Sequence, residues 1–136
     1  MSIEIYVSRF RHGERVEFMA AELSASFSEL IAAFNSEGLL LKLGDDEPVV
    51  VTLGGGRASL ETASLTVLRP VEDLRLYEAL FRVLQTLGTV AYAPGSAPTI
   101  AVAGSKEHLP RGMSEALGAT VEVSSARALR EALFGR

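Results

Sequence analysis

The chain has 136 residues, of which 48% are hydrophobic and 22% charged, and it contains no cysteine. This composition is typical of a folded globular protein, and it excludes disulfides, thiolate metal sites and cysteine nucleophiles. The formal net charge of -4 carries no signature of a protein that binds nucleic acid or an anionic membrane.

The first predicted element is a β-hairpin. Apolar and polar residues alternate over residues 3–8, which is the period of a strand with one buried face. His12 and Gly13 then form a two-residue turn, and the resulting register places Val7 opposite Phe18. We expect two antiparallel strands joined by a tight turn.

Three arginines, Arg9, Arg11 and Arg15, surround the predicted hairpin tip. Arg9 and Arg11 fall on the same side of the strand as its buried residues, so we expect the tip to project past the core into water. Glu14 and Glu17 offset this small basic cluster. The pattern is more typical of a solvated face than of a binding patch.

A short helix is predicted next. Ser26 and Glu29 have the spacing of a capping box, and the apolar residues around and after them form one helical face. The residues of that face are Phe27, Leu30, Ile31 and Phe34. Gly38 is expected to end the helix, which can also extend upstream of Ser26.

Two strands follow at residues 39–43 and 49–53, joined by a connection over residues 44–48. This register pairs Leu43 with Val49, and it puts Lys42 on the less buried face. The glycines after the second strand then turn the chain into one further strand.

Residues 70–88 encode the clearest element of the chain, a helix. Leucine and aromatic residues recur at spacings of three and four, which places them on one buried face. Acidic residues precede the first turn, and Gly88 can adopt the left-handed conformation that ends a helix. The residues expected to be buried are Leu74, Tyr77, Leu80, Phe81, Leu84 and Leu87, and those expected to be exposed are Arg75, Glu78, Ala79, Arg82, Gln85 and Thr86.

The last third of the chain alternates strands and helices. The predicted strands are residues 89–93, 99–103 and 121–123, and the predicted helices are residues 109–117 and a terminal helix capped by Ser124 or Ser125. In the terminal helix, Ala126, Leu129, Leu133 and Phe134 form the expected buried side.

This order of elements predicts an α+β fold, a two-layer sandwich of an antiparallel or mixed sheet with helices packed mainly on one face. The last strands and helices can form a parallel crossover. No repeat or linker divides the chain, so we expect a single domain over residues 1–136. Because no apolar run approaches the ~20 residues that cross a bilayer, we expect a soluble, cytoplasmic protein with no membrane partner. The mildly acidic net charge leads us to expect no nucleic acid as partner either.

The best-placed ligand site in the sequence is Gly104, Ser105 and Lys106. These residues lie between a predicted strand and a predicted helical turn, where backbone amides and the Lys106 ammonium group can receive an anion. An ordinary loop with a serine cap has the same signature, and it is the more common explanation.

The triple glycine at residues 54–56, followed by Arg57, suggests a phosphate loop, but it lacks the ending Gly-Lys-Ser/Thr. The stretch that follows it is also extended, where a phosphate loop would lead into a helix. A flexible hairpin loop is the favoured interpretation.

No catalytic, cofactor or metal site is predicted. His12 and His108 are the only histidines, and neither has a neighbour at metal-ligand spacing. The acidic run at residues 45–47 lacks the alternating oxygen ligands of a calcium loop, and no nucleophile motif accompanies the serines.

Two functions therefore remain open. The first is a non-catalytic binding protein that acts through a protein surface, as a regulator, an assembly subunit or a toxin-neutralising immunity protein would. The second is a small enzyme or a protein that binds a small molecule or anion in a pocket near Gly104, Ser105 and Lys106. Apolar residues on both faces of the strand at 39–43 also favour a sheet sealed by a partner protein or by a second copy in a homodimer.

Overall fold

The computed structural model describes residues 4–19, 22, 25–34, 38–43, 48–54, 61–62, 64–68, 73–93, 97–104, 108–110, 112–113 and 119–134. The strands are β1 (Glu4–Arg11), β2 (Glu14–Val16), β3 (Phe18–Met19), β4 (Ile31–Phe34), β5 (Gly38–Leu41), β6 (Val49–Leu53), β7 (Glu61–Thr62), β8 (Ser64–Leu68), β9 (Thr89–Ala93), β10 (Ala97–Val102) and β11 (Ala119–Glu122). The helices are α1 (Leu74–Leu87) and α2 (Ala126–Phe134).

The described elements form a mixed nine-stranded sheet with two helices, which confirms the predicted α+β fold. The strand order is β11-β10-β9-β1-β8-β6-β5-β4, with β2 paired to β1, while β3 and β7 form a separate ribbon. Strand β11 runs parallel to β10, as the crossover pattern predicts, and the other described pairs are antiparallel. Neither helix has the length and apolar character needed to span a membrane.

One face of the sheet, which we call the inner face, packs with α1 and α2 into the main core. Strand residues such as Ile5, Val7 and Val51 belong to the same buried cluster as Leu80 of α1 and Leu129 of α2. Burial of large apolar side chains stabilises a fold by roughly 1.5–3 kcal/mol each, so this cluster is the main source of stability.

Helix α1 begins and ends where the sequence predicts, but its buried face is wider. The buried residues are Leu76, Tyr77, Ala79, Leu80, Val83, Leu84 and Leu87. Ala79 is buried, although it was expected to be exposed, whereas Leu74 and Phe81 are only half-buried. The reason is that α1 contacts α2 as well as β9, so two neighbours cover it from different sides.

The helix predicted after Ser26 is wrong, although its proposed upstream extension is helical at Glu22, Ala25 and Ser26. Residues 27–30 form turns, and Ile31–Phe34 is strand β4, which pairs with β5. The Ser26 hydroxyl donates to the backbone O of Glu22 at 3.4 Å. Gly38 begins β5, and a Cβ placed there would lie 2.0 Å from the backbone O of Val51. This close backbone approach accounts for the glycine, which a helix end does not.

Two predicted registers need correction. The turn at His12 and Gly13 is confirmed, but β2 ends at Val16, and Val7 pairs with Leu65 of β8 and Ala91 of β9. Strands β8 and β9 thus occupy both edges of β1, which leaves no place there for Phe18.

In the hairpin of β5 and β6, Leu41 pairs with Val49 where Leu43 was expected to do so. The connection therefore spans residues 42–48. A shift of two residues keeps every side chain on its predicted face, since strand side chains alternate with a period of two. Lys42 is accordingly exposed, while Leu39 and Leu41 are buried.

The opposite side of the sheet, which we call the outer face, has a smaller core at one end. Phe10, Val90, Ile100, Val102 and Met113 form this second cluster. Toward the other end, the same face presents the half-buried side chains of Leu40, Val50, Thr52, Thr66 and Leu68. Neither described helix covers them, because both helices pack on the inner face.

Candidate functional site

The first end of α1, its N-terminus, is capped by a carboxylate that also forms an ion pair with a neighbouring arginine. Asp73 is the N-cap, and its Oδ1 accepts a hydrogen bond from the backbone N–H of Arg75 at 3.0 Å. The Arg75 guanidinium also binds this carboxylate, with Nη2 to Oδ2 at 2.7 Å and Nε to Oδ1 at 3.1 Å. These hydrogen bonds from the Arg75 side chain, and then from its backbone, lower the pKa of Asp73.

The last residues of α1 lie beside a pocket of about 330 Å³. Gly88 ends the helix in the left-handed conformation, with φ of 66°, and its N–H donates to the backbone O of Leu84 at 3.1 Å. We call this cavity the basic pocket. Its lining residues are Arg9, Phe10, Arg11, Gln85, Thr86, Leu87, Gly88, Ala103, Gly104 and His108.

The charge of the basic pocket is cationic. Arg9, Arg11 and His108 line it, and none of the lining residues that the structure describes is Asp or Glu. Arg9 is partly buried and Arg11 is exposed. Within the described part of the chain, neither arginine side chain makes a hydrogen bond or an ion pair, although Glu14 is the cross-strand neighbour of Arg11. Two arginines thus line one cavity, and no described acidic residue forms an ion pair with either of them.

His108 is fixed against the hairpin turn by three contacts. Its Nδ1 accepts a hydrogen bond from the backbone N–H of His12 at 3.3 Å, and its backbone O accepts one from Gly13 at 2.9 Å. The two imidazole rings meet edge to face, with centroids 5.1 Å apart. Because Nδ1 accepts, the neutral ring carries its proton on Nε2, where it is a donor.

Behind the pocket wall lies a buried hydroxyl group with no partner. Thr89 follows Gly88, is paired with Arg9 across β1 and β9, and is fully buried. Its Oγ1 makes no hydrogen bond with any residue that the structure describes. Side chains of directly paired strand residues lie roughly 5 Å apart at Cβ, so this hydroxyl is a close neighbour of the Arg9 side chain.

Of the ligand site predicted from sequence, Gly104 lines the basic pocket with φ of 92°, while Ser105 and Lys106 lie outside the described residues. The three residues together therefore remain a prediction. Sequence reasoning missed the two arginines, which were treated as a solvated hairpin tip. The sequence did contain a hint of their role. Side chains alternate between the two faces of a strand, so Arg9 and Arg11 had to lie on the same face of β1 as its buried residues, which is the face toward the helices.

The other sequence candidates contribute no further site. Gly54 lies in a turn and its N–H donates to the backbone O of Ser64 at 2.9 Å, which fits a hairpin loop. Residues 55–57 and the acidic run at 45–47 lie outside the described residues. Across the described ranges, no group of three or more His, Cys, Asp or Glu side chains could hold a metal ion.

A second pocket, of about 380 Å³, lies on another side of the same helix end. Its lining residues are Glu22, Ala25, Ser26, Arg82, Thr86 and Leu87. Here the arginine is engaged, because Arg82 donates to the backbone O of Ser26 from Nη2 at 2.9 Å and from Nε at 3.3 Å. Arg82 therefore lines a pocket and also has a partner within the protein, whereas Arg9 and Arg11 of the basic pocket have no described partner.

Comparisons of this chain with protein-family models, with curated proteins and with solved structures found no match.

Proposed function

We propose that this protein binds a small anionic ligand in the basic pocket. The observation that carries the proposal is that Arg9 and Arg11 line this pocket while neither side chain engages any described residue. By contrast, the two arginines of α1 itself, Arg75 and Arg82, each donate a hydrogen bond to an oxygen atom of the protein.

The chemistry of the guanidinium group supports this proposal. Arginine presents its N–H donors in a planar fork that matches carboxylate and phosphate oxygens, and these charge-assisted hydrogen bonds are stronger than neutral ones. Arg9 is partly buried against the inner face, where attraction to an anion is screened less than in open solvent. The imidazole of His108 belongs to the same lining.

Titration with sulfate, followed by isothermal calorimetry at constant ionic strength, tests the proposal. Sulfate is a useful probe because its charge does not change near neutral pH. We expect Arg9→Gln and Arg11→Gln each to weaken sulfate binding by about tenfold, because each removes a charge-assisted hydrogen bond of roughly 1.5–3 kcal/mol in a partly solvated site. The double variant should show no measurable binding.

Arg82→Gln is the matched control, since it removes an arginine that lines the other pocket. It should leave sulfate binding unchanged. Equal sulfate binding by the parent and by the double variant would contradict the proposal. The proposal would also be contradicted if the double variant lost up to about 1 kcal/mol of stability and bound sulfate as the parent does. The two arginines would then stabilise the C-terminal end of α1 through its dipole and would not bind a ligand.

A second candidate function is association with a partner protein or with another copy of the chain through the outer face. The half-buried residues Leu40, Val50 and Leu68 lie side by side on three adjacent strands, and neither described helix covers them. Apolar surface of this kind is typical of interfaces.

Sedimentation velocity at micromolar concentration tests this second candidate. If the outer face joins two copies, the parent should sediment as a dimer and Val50→Lys as a monomer, because a charge at the centre of the face opposes its burial. A monomeric parent that retains no partner in repeated pull-downs would contradict this function.

A further inference from the structure

We infer that the ligand of the basic pocket is a zwitterion that carries a carboxylate and an ammonium group, such as a free α-amino acid. This inference rests on the proposed function, which requires only an anionic group, and it adds a positive group to the ligand. It follows from the second wall of the pocket, which is built from the end of α1.

The second wall is formed by the last turn of α1, where backbone carbonyl groups lack intrahelical donors. Gln85, Thr86 and Leu87 are the last residues of α1, and all three line the pocket. The last four carbonyl groups of a helix have no intrahelical donor, and here the N–H of Gly88 takes up the first of them, that of Leu84. The helix dipole adds the equivalent of about half a negative charge at this end. An ammonium group is the natural partner of such a wall.

The two walls have opposite polarity and share one small cavity. Arg9 and Arg11 line the cavity from β1, and Gln85, Thr86 and Leu87 line it from the end of α1. A simple anion satisfies the arginine wall but meets the negative end of the helix dipole. An α-amino acid carries its ammonium group and its carboxylate on the same carbon atom and can satisfy both walls. A volume of about 330 Å³ suits one small molecule of this kind.

The two arginines are close enough to the end of α1 to be considered as donors to its last carbonyl groups. Cationic side chains near a helix C-terminus often hydrogen-bond its last carbonyl groups. In this structure neither Arg9 nor Arg11 makes such a bond within the described residues. The arginine wall and the helix-end wall therefore line the cavity without a described hydrogen bond between them, and a zwitterion can connect the two.

A panel of the standard free amino acids, screened by thermal shift, identifies the strongest binder. Calorimetry then compares three probes: this amino acid, its analogue without the amino group, and its analogue without the carboxylate. We expect the amino acid to bind at least about tenfold more tightly than either analogue. In the double variant Arg9→Gln, Arg11→Gln, the advantage of the amino acid over the amine should disappear.

The outcomes separate this inference from the proposed function. If the deaminated analogue binds as tightly as the amino acid, or if sulfate binds and no amino acid does, the inference is overturned while the proposed function stands. If neither sulfate nor any member of the panel binds, both are overturned. Tight binding of the amine alone would also overturn both, because the arginine wall would then play no part.

Discussion

The two ends of α1 use charged and polar groups in opposite ways. At the first end, the Asp73 carboxylate binds both the backbone and the guanidinium of Arg75. At the last end, Arg9 and Arg11 face the basic pocket without a described partner, and the hydroxyl of Thr89 is buried without one. The charged groups at the first end therefore bind each other, whereas the two arginines and the Thr89 hydroxyl at the last end have no partner among the described residues.

This contrast separates stability from binding. Substitutions at the first end should lower the free energy of unfolding, since they break contacts within the protein. Substitutions at the last end should change stability little, or even raise it, because unsatisfied polar groups contribute nothing to the folded state. The predictions that follow test this division, beginning with the helix that connects the two ends.

Leu80→Asp should produce the largest effect. Leu80 is fully buried in the main core between α1 and the sheet. A carboxylate there has no partner, so we expect a loss of more than about 4 kcal/mol, which is a large part of the roughly 5–15 kcal/mol that stabilises a typical domain. Circular dichroism should show no cooperative melting. Leu80→Met is the control and should cost less than about 1.5 kcal/mol. A Leu80→Asp variant as heat-stable as the parent would contradict the placement of α1.

Asp73→Ala should lower the free energy of unfolding by about 1 kcal/mol, because it removes the N-cap of α1. Urea denaturation at neutral pH measures this loss. Asp73→Asn keeps a capping side chain and should recover most of it. Equal stability of the alanine variant and the parent would show that this end is not closed by Asp73.

The pH dependence of stability should confirm the same contact. The pKa of Asp73 is lowered in the folded protein, so its contribution is fully present above the unfolded pKa of about 3.9. The contribution is lost as the pH falls through the folded pKa. The parent and Asp73→Asn should therefore differ in stability near pH 6 and converge in strong acid. A constant difference across this range would contradict the assignment.

Thr89→Val should have a smaller effect, of the opposite sign. The hydroxyl of Thr89 is buried without a described partner, and valine replaces it with a methyl group of similar size. Removing an unsatisfied buried polar group should raise stability by up to about 1 kcal/mol. Thermal denaturation without ligand measures this change. A loss of stability would instead show that the hydroxyl is satisfied within the folded protein.

The sequence predicts α1 and its ends well because their signals are local. The spacing of the leucines, Asp73 before the first turn and Gly88 after the last all act within a few residues of one another. The α+β class and the strands around α1 follow from short-range patterns in the same way. Strand β8 and the pair β9 and β10 are examples.

The segment before β5 shows where local signals fail. Leu30, Ile31 and Phe34 fit a helical face, yet Ile31–Phe34 is a strand because β5 offers it an edge to pair with. That edge is created by contacts between distant parts of the chain, including the close approach of Gly38 to Val51. Tertiary pairing of this kind overrides helix propensity, and no local pattern reports it.

The basic pocket was only partly predictable for the same reason. Alternation placed Arg9 and Arg11 on the helix-facing side of β1, but their approach to the end of α1 depends on the pairing of β1 with β9. Likewise, the contact of His108 with the hairpin turn joins residues that are far apart in sequence. Among the described residues that line the pocket, Gly104 alone was singled out as a ligand-binding candidate.

The central claim is that the last end of α1, and not the first, receives an anion. Sulfate titration of the ¹⁵N-labelled protein, with chloride as the control at equal ionic strength, tests it most directly. The account predicts saturable changes in the amide signals of residues 9–13, 85–88 and 103–104, and no such change around Asp73 and Arg75. Saturable changes centred on Asp73 and Arg75, or none at the basic pocket, would contradict it.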